Sequence, residues 1–321
     1  MRRLVGDRRL TYLGESFGTL IGQTYANLFP RRVRAMALDG VIDPVAATTS
    51  TEAVLASGSI DTDRVFREFL ALCEAAGPDR CALAGHGPVA PRVNRLLRRL
   101  RHHPIPAPSA TPPGELTYGE ALTALKFEGL PKPEQWPLAA ILLEAAIQGH
   151  GSGIKDIAAG ANSDQARMLL QEQGTALVCA DSPARHPASA WPRVVDRLEA
   201  VSRIGGPVVG WLNATCASWP TRSADRYTGP WNATTKHPIL VIGTRFDPDT
   251  ALRNARRAAR RLGNAVLLTH DRYGHLSRRD PSPCVMRATG NYLVNLTTPP
   301  PGTICPSDHL PFDPDFGQPV P

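Results

Sequence analysis

Seven residues near the start of the chain constrain what the rest can become: Tyr12-Leu13-Gly14-Glu15-Ser16-Phe17-Gly18. Gly14, Ser16 and Gly18 form a G-x-S-x-G pattern. A β-type run, Arg9-Leu10-Thr11-Tyr12-Leu13, precedes it, and a helix-length run from Thr19 to Phe29, closed by Pro30, follows it. A serine in that context sits on a sharp turn between strand and helix, with its hydroxyl projecting above the sheet. The flanking glycines remove Cβ atoms that would collide where helix and strand approach closely. The bare pattern arises by chance in Gly- and Ser-rich chains. The strand before it and the helix after it make Ser16 a candidate nucleophile, against a small-residue turn with no chemistry.

The chain has 321 residues, enough for a large core and one or two domains. A hydrophobic content of 42% is ordinary for a globular protein, and no stretch approaches the length of a membrane-spanning helix. Met1 to Asp7 is basic in character, but no apolar run follows, so it does not read as a signal peptide. The net charge of +7 comes almost entirely from arginine. Its densest cluster, Arg92 to Arg101, interleaves arginines with Val93, Leu96, Leu97 and Leu100 at helical spacing, an amphipathic helix with a solvated basic face. No aromatic interleaving or nucleic-acid motif accompanies it, so no nucleic-acid partner is expected.

Six cysteines stand at Cys73, Cys81, Cys179, Cys216, Cys284 and Cys305. An even count without metal-type spacing favours disulfides over reduced core thiols, and 15 connectivities are possible. Chain order favours the three local pairs Cys73–Cys81, Cys179–Cys216 and Cys284–Cys305. Disulfides would place the protein outside the cytoplasm. Sequons at Asn213, Asn232 and Asn295 matter only in a glycosylating host.

Three regions follow from the periodicity. Residues 1–44 hold a β-α-β unit whose second strand is Val33 to Leu38. Residues 45–236 lose strand signals and read as a helical cap. Helices are expected over 62–74, 91–101, 117–128, 136–147, 163–173 and 191–202, with Pro-rich joints such as Pro104 to Pro108 between them. Residues 237–321 return to α/β. They hold an apolar strand over 238–243, an Arg-rich helix over 252–262, a last strand over 265–269, a helix near 283–294, and a Pro-rich tail tied down by Cys305.

Nucleophilic catalysis by serine needs a base and an acid that orients it, and in strand–elbow–helix folds of this type they follow in the order acid, then histidine. The strand over 238–243 runs into Thr244-Arg245-Phe246-Asp247-Pro248-Asp249-Thr250. Asp247 lies nearer the strand end and is the better acid; Asp249-Thr250 looks like a helix cap, leaving Asp249 as runner-up. His275, in Asp271-Arg272-Tyr273-Gly274-His275, follows the last strand and has a glycine before it. His270, at the expected strand end, is the alternative. In this reading His275 takes the proton of Ser16, Asp247 holds the imidazole, and the N–H of Phe17 is one oxyanion donor. No cofactor is expected, and no metal, because neither zinc-type cysteine spacing nor a paired-histidine motif occurs. Gly205-Gly206-Pro207 looks like an oxyanion glycine loop but lies after the nucleophile, inside the cap, and is discounted; Gly149 to Gly153 is off-register for an elbow and reads as a loop.

With these residues in place the chain resembles secreted actinobacterial α/β-hydrolases of the tripeptidyl aminopeptidase type, kin of the proline iminopeptidases. The elbow carries the resemblance, together with Tyr25 to Val33, Leu38-Asp39-Gly40-Val41-Ile42-Asp43-Pro44, Trp136-Pro137-Leu138-Ala139, Cys179-Ala180-Asp181, Cys216 to Pro220 and Gly274-His275. The segment from about 215 to 306 looks like the TAP-like C-terminal region. The resemblance implies an α/β-hydrolase fold with a mostly parallel sheet and an inserted helical cap, the triad Ser16, Asp247 and His275, and a secreted or cell-envelope location. It also implies a peptide substrate with a free N-terminus, or a small ester. A cap acid would suit the substrate ammonium; Asp181, Glu120, Glu128 and Glu144 are the candidates. Family members carry a longer segment before the elbow, with a signal peptide, the first strands and an HGGPG-like loop that gives the second oxyanion N–H. Only eight residues precede the elbow strand here, so the expectation is a truncated product or a misplaced start, with that strand at a sheet edge. Losing one oxyanion donor typically costs about 10²–10³ in turnover, so a catalytically impaired remnant is the alternative to an enzyme.

Overall fold

The computed structural model describes residues 2–163, 165–181, 186–221, 223–307 and 309–316. Strand β1 (Leu10–Glu15) passes through Ser16 into α1 (Phe17–Leu28), and β2 (Val33–Asp39) returns parallel to it. A helical region follows: α2 (Pro44–Thr49), α3 (Thr51–Ser59), α4 (Thr62–Ala76) and α5 (Val89–Leu100). A small hairpin of β3 (Ile105–Ala107) and β4 (Gly114–Leu116) leads to α6 (Tyr118–Thr123), a π-turn over Ala124–Gly129, and α7 (Trp136–Ile147). Then come α8 (Ser152–Ser163), α9 (Gln165–Asp181), α10 (Trp191–Val201) and α11 (Gly205–Leu212). The chain then re-enters the sheet as β5 (Ile239–Phe246), α12 (Leu252–Arg261), β6 (Ala265–Tyr273), α13 (Pro283–Asn295) and β7 (Ile304–Cys305).

The main sheet has the order β1-β2-β5-β6-β7, and every neighbouring pair in it is parallel. Strand alternation divides its side chains between two faces. Met36, Leu38, Ile239 and Val241 pack with Ala26 of α1 and Leu252, Ala255 and Ala258 of α12. Ala35, Ala37, Leu240 and Ile242 pack with Val285 and Tyr292 of α13. Both faces are covered, which is why these strands read as continuous apolar runs. Arg34 fastens α13 to β2, donating to the carbonyls of Leu293 and Val294 at 2.7 Å each, where helix C-terminal carbonyls lack partners. Among the described residues β1 pairs on one side only, and Leu13 is half exposed.

The largest apolar cluster lies in the helical region, around Phe66, Phe69, Leu96, Leu122 and Trp136. It reaches the sheet through Tyr273, whose ring lies 5.4 Å from that of Trp136 and stacks on Phe246 at 4.7 Å. Disulfides join Cys73 to Cys81, Cys179 to Cys216, and Cys284 to Cys305.

Several elements differ from the sequence expectation. The last strand continues to Tyr273, because it pairs on both sides: His270 stands opposite Thr244 of β5 and Cys305 of β7. Two residues of the tail therefore form a strand. The helix expected over 117–128 ends at Thr123 and becomes a π-turn. Its start is a capping box, in which Thr117 accepts from the N–H of Glu120 and Glu120 accepts from the N–H of Thr117. The helix expected over 163–173 includes residue 164, outside the described residues; α9 runs on to Asp181. Gly205-Gly206 opens α11 rather than forming an oxyanion-type loop, and Gly206 lies against the Leu198 backbone, where a Cβ would come within 2.0 Å of the carbonyl oxygen.

The Cys284–Cys305 bond spans 21 positions and anchors β7 to α13. Replacing both cysteines by serine lowers the unfolding free energy by about 3 kcal/mol, measured by reversible denaturant unfolding. An unchanged midpoint would contradict that role.

Candidate active site

The site is built where β1, β2, β5 and β6 end. Ser16 holds φ 49° and ψ −117°, a conformation costly for any residue with a side chain. The turn is held from both sides: Ser16 N–H donates to the Asp39 carbonyl at 3.0 Å, and the Ser16 carbonyl accepts from Thr19 N–H and Oγ1. A Cβ on Gly14 would lie 2.7 Å from the Gly18 carbonyl oxygen and 2.6 Å from the Tyr12 ring. One on Gly22 would lie 2.6 Å from Leu38. Tyr12 closes the crossing by donating to the Gly18 carbonyl at 2.9 Å. Phe17 is the first residue of α1, so its N–H belongs to the helix-terminal amides that lack an intrahelical acceptor.

Asp247 follows β5 and is fully buried. Its Oδ1 accepts from the N–H groups of Asp249 and Thr250 at 2.8 Å each, and its Oδ2 accepts from Thr250 Oγ1 at 2.7 Å. His275 follows β6 with its side chain 17% exposed, and its Nδ1 stands 3.0 and 3.1 Å from the two carboxylate oxygens of Asp247. Burial alone would push the Asp247 carboxyl up, but the imidazole charge and these hydrogen bonds outweigh it and hold the group below its ordinary value. Burial would likewise pull His275 down; the charge and hydrogen bond of Asp247 outweigh it, helped by Asp249 and Asp39, and raise it to about 9.

The backbone around His275 is fixed at each step. Gly274 has φ +88°, and a Cβ there would lie 2.9 Å from the Pro131 carbonyl oxygen and 2.5 Å from Pro133. Gly274 N–H donates to Phe246 O, and His275 N–H donates to Pro131 O, both at 3.0 Å. Gly40, at φ +64°, leaves room for the imidazole: a Cβ there would come 3.3 Å from His275 Cε1 and 2.5 Å from Leu276.

Two contacts bind the histidine loop to the elbow. Ser277 donates to Asp39 Oδ2 through its N–H at 3.0 Å and its hydroxyl at 2.6 Å, and Arg278 Nε donates to Glu15 at 2.9 Å. Burial raises the Asp39 carboxyl to about 6, against the Ser277 hydrogen bonds, and the neighbouring Asp247 adds to the rise. The structure thus joins Asp247 to His275 directly and joins the elbow to the histidine loop through neighbours. Ser16 Oγ itself makes no hydrogen bond among the described residues. Such hydrogen bonds are often long before substrate arrives.

The alternatives have other surroundings. His270 is buried within β6, 3.3 Å from Thr244 Oγ1, and burial with the Arg272 charge lowers it to about 3. Asp249 is paired with Lys126. Asp247, Asp249 and His275 do bring ligand-type atoms within 4.8 Å of one another, yet Lys126 already neutralises Asp249, and both Asp247 oxygens accept hydrogen bonds. Among the four acids of the helical region, Glu144 is paired with Arg92 at 2.5 Å, Glu120 with Lys155 at 2.6 Å, and Glu128 with Lys132 at 2.5 Å. Glu128 also borders an apolar cavity of about 70 Å³, walled by Leu125, Leu138, Leu142 and Ile154. Asp181 is half-buried, which pushes its carboxyl up despite the Arg226 charge. Sequence reasoning missed Asp39, Thr250 and Lys126, since none belongs to a motif with a catalytic meaning of its own.

Comparison with known proteins now bears on this geometry. A family model described as "alpha/beta hydrolase fold" matches residues 1–70, and one described as "TAP-like protein" matches residues 202–305. The chain has the α/β-hydrolase fold and carries a TAP-like C-terminal region. Serine protease Hip1 of Mycobacterium tuberculosis is 30% identical over 95% of this chain and 59% of its own length. Tripeptidyl aminopeptidase of Streptomyces lividans is 27% identical over 93% of this chain and 55% of its own. Carboxylesterase B of Mycobacterium tuberculosis is 28% identical over 86% and 53%. The chain therefore spans between 53% and 59% of the length of these relatives.

The expected outcome of an NMR titration of His275 is a midpoint well above 6.5, towards about 9. Asp247→Asn brings it down, because burial then acts with only Asp249 and Asp39 opposing it. A midpoint near 6.5 in the unaltered protein would contradict the coupling.

Proposed function

We propose that the protein is a serine hydrolase acting on peptides, and that it releases short fragments from free N-termini through an acyl-enzyme. The observation that carries the reading is the Asp247–His275 hydrogen bond on a loop tied to the Ser16 turn. The relatives named serine protease and tripeptidyl aminopeptidase support the substrate class. The second reading, a carboxylesterase with the same three residues, is favoured by the relative of that name.

In the proposed reaction Ser16 Oγ attacks the substrate carbonyl carbon while His275 Nε2 accepts its proton. Asp247 keeps Nδ1–H facing the carboxylate and stabilises the imidazolium that forms. The Phe17 N–H receives the oxyanion. His275 then returns the proton to the leaving amine, and the C–N bond breaks. Water, deprotonated by the same imidazole, hydrolyses the ester on Ser16. The helical region between β2 and β5 would act as a cap that limits substrate length, with an acidic side chain to receive the free ammonium. The three disulfides support an oxidising location, secreted or in the cell envelope.

Ser16→Ala lowers kcat by about 10⁶ while leaving the fold intact. Tripeptidyl arylamides with a free amino terminus turn over faster than their N-acetylated forms and faster than short acyl esters. Equal turnover of free and acetylated peptides, with esters fastest, would favour the carboxylesterase. Activity that survives Ser16→Ala would overturn both readings.

A further inference from the structure

Lys126 sits in the π-turn between α6 and α7, and it is 2% exposed. An ammonium removed from water is costly unless its charge and protons are met. Here they are met chiefly by the loop after β5, with further contacts from α3 and α4. Nζ donates to the Pro248 carbonyl at 3.0 Å and to the Asp249 carboxylate, and it lies 3.4 Å from both the Gly58 carbonyl and Thr62 Oγ1. Thr62 Oγ1 donates to the same Pro248 carbonyl at 2.7 Å. Pro248 and Asp249 follow Asp247 directly, and the N–H groups of Asp249 and Thr250 hold the Asp247 carboxylate.

The turn itself fits this use. Its closing bond, Leu130 N–H to the Leu125 carbonyl at 2.8 Å, skips one residue relative to an α-helix, and such bulges recur at functional sites. Five residues beyond Lys126, the Pro131 carbonyl accepts the His275 N–H. One segment, Lys126 to Pro133, therefore grips the loop after β5 and the loop after β6 together.

We propose that Lys126 is a positioning residue, which holds Pro248 and Asp249 so that Asp247 faces His275 only while the helical region is seated on the sheet. This rests on the hydrolase reading above for its catalytic consequence, but the geometric part stands by itself. The two are separable because the Asp247–His275 hydrogen bond has a spectroscopic signature, a far-downfield Nδ1 proton resonance, which needs no turnover. Asp247, Asp249 and Asp39 are the carboxyl groups that bear on that imidazole, and Lys126 fixes where two of them stand.

The test compares the full chain with Lys126→Met, Lys126→Met/Asp249→Asn and Thr62→Val, using the proton spectrum, the His275 titration midpoint and the rate of fluorophosphonate labelling. The resonance is assigned by its absence in His275→Ala. The expected result is a resonance broadened or lost in folded Lys126→Met and in the charge-neutral double variant, with a lower midpoint in Lys126→Met, where the Asp249 charge remains. Labelling falls roughly 10–100-fold, as a displacement of about 1 Å would cause. Thr62→Val, a smaller lesion on the same carbonyl, shows the same changes in lesser degree and decides the matter if Lys126→Met does not fold. A resonance and midpoint unchanged in the folded variants would overturn the proposal. An unaltered protein that never labels, yet loses the resonance in the variants, would overturn the hydrolase reading and leave the positioning role standing.

Discussion

The close crossing of β1 and α1 around Ser16 depends on the missing Cβ atoms of Gly14 and Gly22. At Gly14 and Gly22 an added carbon would lie at 2.6 Å from its nearest neighbour, closer than real contacts allow. That absence lets α1 lie against β1 and lets Ser16 stand at the sheet's C-terminal end. The parallel pairing of β2 and β5 then sets Asp39 opposite Ile242, which brings the loop after β5 beside the elbow. Gly40 and Gly274 repeat the device on either side of the imidazole, one making room for His275 and the other bending the chain past Pro131 and Pro133. The site is shaped by what these glycines lack as much as by the side chains around them.

Electrostatics follow from that close placement. Asp39, Asp247 and Asp249 converge on one imidazole, and each is settled differently. Asp247 is held ionised by the His275 charge and by hydrogen bonds from His275 and Thr250, Asp249 is paired with Lys126, and Asp39 is pushed up by burial and its acidic neighbour. Three carboxyl groups in one buried neighbourhood are tolerable only under such a division. The same carboxylates raise the proton affinity of His275, so they stabilise the imidazolium that forms when the neutral ring accepts the Ser16 proton, and the share of neutral ring able to do so grows as pH rises towards about 9.

Much of this was legible in the sequence where the local signal was strong. The elbow, the apolar strand over 238–243 and the order of Asp247 and His275 all rest on short-range pattern, and the α/β-hydrolase fold follows from them. What stayed hidden depends on distant partners. The last strand outruns its apolar stretch because β7 pairs with it at Thr269 and His270 and β5 pairs with it on to Tyr273, so the histidine read at the strand end is buried within the strand. Lys126 reads as an ordinary helix lysine; its burial depends on Pro248 and Asp249, more than 120 positions away. Asp39 reads as a strand end, and its link to Ser277 spans 238 positions. No periodicity reports such pairs.

The central claim is that Ser16 is a nucleophile activated by His275 and Asp247. Its most direct measurement is peptide mass spectrometry of the intact chain after exposure to a fluorophosphonate. A single phosphonyl adduct on the Ser16 peptide, lost when His275 is replaced by alanine, is the result predicted. A folded protein that carries no adduct, or carries one on another serine, would contradict it.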